Sequence, residues 1–217
     1  MTDDTHIFFD LDGTLTDPGL GITNSVMHAL ARFGIRVDDR TSLYKYIGPP
    51  LMDSFREFNG FSDDEARAAV AAYREYFSVT GLFENEVYPG IPELLERLKA
   101  AGKKLVVATS KPEAFSLRIL EHFDLLPYFD FVAGASMDET RAQKWQVIRW
   151  AQDSFCRPGD RICMVGDRKH DVEGAARCGL PCLGVLYGYG SREELDAAGA
   201  CALAASPAEI GRYFLGE

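Results

Sequence analysis

With 217 residues, 47% of them hydrophobic, the chain can bury a substantial core, either as one domain with an insert or as two small domains. Its formal net charge of −10 and its lack of any Lys/Arg cluster exclude the basic surface that a nucleic-acid polymer requires, so an anionic partner has to be met by local cations. No apolar run approaches membrane-spanning length and the acidic opening Met1-Thr2-Asp3-Asp4-Thr5 is not a secretory signal, so no membrane partner is expected and the expected compartment is the cytoplasm.

The first element is the run His6-Ile7-Phe8-Phe9, which ends abruptly in Asp10-Leu11-Asp12-Gly13-Thr14. Such a run reads as a strand buried on both faces just before it leaves its sheet. Asp10 and Asp12 are two residues apart, which in extended geometry puts them on one side, and Gly13 lets the chain turn at once. Two carboxylates in one crevice repel unless a cation or a shared proton relieves them, and the pair predicts a hard divalent metal, Mg2+, held by oxygens. A calcium loop starting at Asp10 fits poorly, because its bidentate acid would fall on Gly21.

A helical region follows. Ile22, Val26, Leu30 and Phe33 recur at helical spacing up to Gly34, and further helices are expected around 40–46, 51–58 and 63–79, the last begun by a Ser62-x-x-Glu65 capping box. No strand is expected between the first run and about residue 104. Residues 16–87 therefore read as an all-helical insertion with a small core of its own, and 1–15 with 88–217 as the domain it interrupts.

From Tyr88-Pro89-Gly90 onward the pattern alternates. A helix over Ile91 to Leu98 precedes a strand at 104–108; a helix at 112–123, a strand near 131–133 and a helix at 141–155 follow. A strand at 161–165, a helix at 171–178 and a strand near 182–186 complete a parallel sheet wrapped by crossover helices, an α/β fold. Three later segments carry chemistry-bearing residues. Thr109-Ser110-Lys111-Pro112 puts hydroxyls and turn amides at a strand end, with Pro112 suited to the first turn of the next helix. Lys144 lies near the start of a helical segment. Asp167 ends a buried strand, and Asp171 follows four residues later, where a turn entering a helix brings both towards one point. Cys156, Cys163, Cys178, Cys182 and Cys201 lack zinc-like spacing and read as reduced structural thiols.

The ordered set Asp10-Leu11-Asp12-Gly13-Thr14, Thr109, Lys144 and Gly166-Asp167 with Asp171 resembles the haloacid dehalogenase-like (HAD) superfamily. Within it, the chain is similar to phosphoglycolate phosphatase-like hydrolases with a helical cap, and the likeness extends to Tyr46-Ile47-Gly48-Pro49-Pro50-Leu51 and to Leu186-Tyr187-Gly188-Tyr189-Gly190. The resemblance implies a Rossmannoid core with sheet order 5-4-1-2-3. It implies Asp10 as a nucleophile that becomes an aspartyl phosphate, and Asp12 as the acid that protonates the leaving oxygen and then the base that activates water. Mg2+ would be held by Asp10, the backbone carbonyl of Asp12, Asp167 and, directly or through another ligand, Asp171. Thr109 and the Ser110 amide would bind the phosphoryl oxygens, which Lys144 would neutralise.

The activity implied is hydrolysis of a small phosphorylated metabolite. 2-Phosphoglycolate comes first by resemblance, then nucleoside 5′-monophosphates, sugar phosphates and pyrophosphate. A β-phosphoglucomutase-like phosphotransferase would use the same acids, and a non-catalytic phospho-ligand binder is the reading from another class. Asp12 argues against dehalogenation, since a halide leaving group needs no proton. The expected assembly is a monomer or a weak homodimer. His170 is expected at the surface or behind the ligand set.

Overall fold

The apolar run after Thr5 forms β1 (His6–Phe9), and in this computed structural model, which describes residues 3–138 and 140–216, it lies inside a six-stranded sheet. Ile7, Phe8 and Phe9 are fully buried because helices cover both faces. Burial of each phenylalanine contributes about 1.5–3 kcal/mol. Two very short strands, β2 (Thr16–Asp17) and β3 (Glu86–Val87), form a sheet of their own. The large sheet is completed by β4 (Lys104–Pro112), β5 (Phe131–Ala135), β6 (Ile162–Gly166), β7 (Cys182–Val185) and β8 (Ala202–Ala204).

The order across the sheet is β5-β4-β1-β6-β7-β8, with every pairing parallel. This is the expected order 5-4-1-2-3 extended at one edge by β8. The chain crosses outward to β5, returns past β1, and continues from β6, so β1 borders the switch point at which open α/β sheets bind ligands. Phe9 pairs with Val107 on one side and Val165 on the other, so β1 and β6 end within a residue of each other while β4 runs on to Pro112. Asp10 and Asp167 follow the ends of β1 and β6, and Thr109 lies in β4 just beyond that level.

The chain divides into two compact units, Met1–Thr16 with Val87–Glu217 as one and Asp17–Glu86 as the other. The unit Asp17–Glu86 comprises α1 (Gly19–Ala31), a 3-10 segment (Arg40–Tyr46), α2 (Leu51–Asn59), α3 (Asp63–Tyr76) and a π-type turn (Phe77–Gly81). Its core is built from Val26, Leu30, Phe55, Ala66, Val70 and Tyr73. The capping box forms, with the Ser62 N–H donating to Glu65 Oε2 at 2.9 Å and the Glu65 N–H donating to Ser62 Oγ at 3.3 Å.

In the other unit the crossovers are α4 (Ile91–Ala100), α5 (Glu113–His122), α6 (Lys144–Phe155) and α7 (Lys169–Arg177), and α8 (Arg192–Ala198) and α9 (Pro207–Leu215) complete it.

Several expectations are corrected. The stretch before residue 104 does contain strands, β2 and β3, each too short to carry an alternating pattern. The helix begun at Ser62 stops at Tyr76 rather than Val79, because the chain widens into the π-type turn. Residues 186–190 do not follow the last strand, since β8 lies beyond them. Pro112 caps α5 in an extended conformation (φ −52, ψ 131) instead of occupying its first turn. All five cysteines are free thiols, and among the described residues no helix is long and apolar enough to cross a membrane.

Candidate active site

The turn after β1 creates the centre of the site. Gly13 adopts φ +80, in the left-handed region open to glycine, and a Cβ there would lie 2.2 Å from Asp167 Oδ2. Glycine is thus required both for the turn and for the approach of the two strand ends. Asp10 and Asp12 leave this turn 3% and 8% exposed.

Asp10 Oδ1 accepts the Leu11 N–H at 2.8 Å and lies 2.8 Å from Lys144 Nζ. Lys144 is the first residue of α6, and its ammonium also lies 2.7 Å from Asp171 Oδ1 and donates to the Ala108 carbonyl at 3.2 Å. Asp171 sits in the first turn of α7, where its Oδ2 accepts the Arg168 N–H at 3.0 Å. Asp167, fully buried, accepts the Tyr189 N–H on Oδ2 at 2.7 Å, while its Oδ1 is buried with no hydrogen-bond partner. The loop after β7 packs closely on it: a Cβ on Gly188 would come within 2.4 Å of Asp167 Cβ.

Carboxylate oxygens of Asp10, Asp167 and Asp171 lie within 4.8 Å of one another. The electrostatic consequences follow from that crowding. Burial, then the neighbouring charges of Asp171 and Asp10, push Asp167 well above the ordinary carboxylate range. Burial likewise pushes Asp171 up to about 6, against the pull of Lys144. Burial alone would favour a neutral amine at Lys144, but Asp10 and Asp171 outweigh it and hold the ammonium above the usual lysine range. Three acids with an orphaned oxygen among them fit a hard divalent cation bound by oxygens. The Asp12 carboxylate lies outside this trio, so any part it takes in holding the ion falls to its backbone carbonyl.

Asp12 has its own partner, which sequence reasoning did not assign. Lys111 Nζ donates to Asp12 Oδ1 at 2.6 Å, and both residues are 8% exposed. Burial, working against the lowering effect of Lys111, leaves the Asp12 carboxyl above its ordinary range. Lys111 gets there through a bulge. Ala108 pairs with Ala133 and Pro112 with Ala135, so β4 spends four residues where β5 spends two, and bulges re-aim side chains in this way. Thr109 and Ser110 share that bulge. Thr109 is buried and its hydroxyl accepts the Lys111 N–H at 3.3 Å, while Ser110 is half-buried.

Asp10, Asp12, Thr109, Ser110, Lys144, Asp167 and Asp171 therefore converge on one edge of the sheet. His170 is half-buried on α7, its pKa lowered by burial and then by Arg168 and Lys169. With six buried charges in place, four carboxylates against two ammonium groups leave a formal balance of −2 when all are ionised.

A family model described as haloacid dehalogenase-like hydrolase matches residues 7–185. A Pseudomonas aeruginosa protein named 5'-nucleotidase is 50% identical over 192 residues, 88% of this chain and 87% of that one. A Mycobacterium tuberculosis protein named tyrosine-protein kinase PtkA is 40% identical over 190 residues, 88% of this chain but 65% of that one. In structure, a predicted phosphatase from Clostridium acetobutylicum superimposes with a TM-score of 0.96 at 47% identity, covering 100% of both chains.

Proposed function

The chain belongs to the haloacid dehalogenase-like hydrolases, and from its site we propose a magnesium-dependent phosphatase that cleaves a small phosphate monoester through an aspartyl phosphate on Asp10. The observation that carries this reading is the buried set of Asp10, Asp167 and Asp171 around Lys144, whose negative balance suits one divalent cation. Asp10, the Asp12 carbonyl, Asp167 and Asp171 would hold the ion. When bound it supplies charge neutralisation for an anionic nucleophile approaching an anionic ester.

Asp10 Oδ1 is committed to the Leu11 N–H and Lys144, which leaves Oδ2 to attack phosphorus. As the new O–P bond forms, the ester P–O bond breaks and the Asp12 carboxyl gives its proton to the departing oxygen. Burial raises the Asp12 carboxyl against the pull of Lys111, the direction that favours a proton donor. The resulting Asp12 carboxylate then takes a proton from water, which attacks the phosphoryl group, breaks its bond to Asp10 and leaves as inorganic phosphate. Thr109 and the Ser110 N–H would orient the phosphoryl oxygens, and Lys144 offsets their charge.

For the substrate, the similarity to a protein named 5'-nucleotidase moves nucleoside 5′-monophosphates ahead of 2-phosphoglycolate. The test is phosphate release from a panel of both, with glucose 1-phosphate and pyrophosphate, with magnesium and with EDTA, by the unaltered protein and by Asp10→Asn. Magnesium-dependent release that disappears in Asp10→Asn is expected. Rearranged sugar phosphate without free phosphate, phosphotyrosine formed from ATP and a tyrosine peptide, or no turnover of any substrate would each overturn the reading.

A further inference from the structure

We propose that His6, Cys156 and Asp160 form a second cation site, for a borderline-soft divalent ion such as zinc, at the end of the sheet opposite Asp10. His6 opens β1, Cys156 directly follows α6, and Asp160 lies in the turn before β6. One ligand atom from each lies within 4.8 Å of the other two. His6 and Cys156 are 150 positions apart, so no sequence spacing announces the group.

The hydrogen bonds around His6 argue for a cation. Its Nδ1 lies 2.8 Å from Thr5 Oγ1. The Thr5 hydroxyl donates its single proton to the Arg161 carbonyl at 3.2 Å and accepts the Arg161 N–H at 3.2 Å. A hydroxyl so engaged can only accept from the ring, the tautomer with its proton on Nδ1 and a lone pair on Nε2, whereas a hydroxyl donating to Nδ1 would put the proton on Nε2. That lone pair faces Asp160 Oδ2 at 3.5 Å. In the Nδ1–H tautomer that lone pair and the carboxylate are two acceptors 3.5 Å apart, and a cation between them would join both.

The donor chemistry separates this group from the one at Asp10. Imidazole, thiolate and one carboxylate are the ligands zinc prefers, with a fourth position left to water, whereas the all-oxygen trio suits magnesium. Ligand orientation is already supplied: Thr5 holds the imidazole, and the Arg157 N–H donates to Asp160 Oδ2 at 2.7 Å. Burial and then Asp160 push the Cys156 thiol up to about 11, so binding releases a proton and the ion offsets the Asp160 charge. An ion here would tie the start of β1 to the α6–β6 turn and stabilise the fold by mass action.

The test uses the full chain, stripped of transition metals and kept in excess magnesium, titrated with Co2+. A near-ultraviolet thiolate-to-cobalt band that saturates at a single equivalent and is displaced by Zn2+ is expected. It should vanish in Cys156→Ser, weaken at least about tenfold in Asp160→Asn, and persist in Cys201→Ser and Asp10→Asn. Zn2+ should raise the melting temperature of the unaltered protein and not of Cys156→Ser. Because an all-oxygen site gives no thiolate band, the result is independent of phosphatase activity. Absence of the band in the unaltered protein, or its survival in Cys156→Ser, overturns the proposal and leaves His6 and Asp160 as a simple ion pair.

Discussion

Lys111 Nζ meets Asp12 Oδ1 at 2.6 Å, an ion pair between two side chains that are each nearly buried. Asp12 comes from the turn after β1 and Lys111 from the bulge in β4, so the contact fixes where the proposed proton donor sits relative to Thr109, the proposed phosphoryl-binding residue. Removing the ammonium should therefore hurt most when the leaving group needs a proton. Lys111→Met is expected to lower kcat by about 10²-fold on alkyl phosphates and by less than about tenfold on p-nitrophenyl phosphate, whose leaving group departs unprotonated. Parallel kinetics on the two esters decide it. Equal losses would reduce Lys111 to a structural residue.

Gly174 sits in α7 against the stem of Lys144, where a Cβ would lie 2.8 Å from Lys144 Cγ and 3.2 Å from the Trp145 backbone nitrogen. In an exposed helix Gly→Ala is stabilising by about 1 kcal/mol. Here the Lys144 ammonium is pinned between Asp10 and Asp171, so its stem has little room to move, and overpacking costs about 1–3 kcal/mol. Gly174→Ala is expected to lower both the melting temperature and kcat while leaving KM nearly unchanged. A more stable, fully active variant would contradict this.

Much of this arrangement was legible in the sequence because it is locally punctuated. Asp10, Asp12 and Gly13 interrupt an apolar run, as Gly166 and Asp167 do, and alternating helices and strands announce the parallel sheet. The strand order came from resemblance, since periodicity says nothing about which strands are neighbours. Lys111 was not legible: a bulge leaves no trace in hydrophobic pattern, so the strand reads as ending at Ala108 when it continues to Pro112. β8 is three residues long and mostly alanine, β2 and β3 are two residues each, and none is long enough to show a period of two. The group around His6 depends on contacts across most of the chain, which no local pattern records.

Asp130 joins three elements away from the site. Its Oδ2 accepts from Lys99 Nζ at 2.8 Å and the Leu105 N–H at 3.0 Å, and its Oδ1 lies 3.2 Å from Lys104 Nζ. Burial would raise its pKa, but these donors together outweigh it and lower the value. A depressed carboxylate stabilises the fold above its unfolded pKa of about 3.9, and that contribution is lost as pH falls through the lower folded value. Asp130→Asn is expected to cost about 2 kcal/mol at pH 7, and the difference from the unaltered protein should close below about pH 4. Denaturant unfolding at a series of pH values measures both.

Because β1 pairs only with β4 and β6, its two neighbours are made long after it emerges. During synthesis at about 5–20 residues per second, roughly 10–30 s separate the appearance of Asp10 from that of Asp171. Until β4 and Lys111 emerge, the nascent chain carries an apolar strand with no partner and acids with no counter-charge. Residues 17–86 meanwhile have their own core available to them. A ribosome pause after Pro112 would let β1 find β4 and Lys111 reach Asp12, yet Asp10 would still wait for Lys144, so a truncated chain would hold Asp10 without the ammonium that neutralises it.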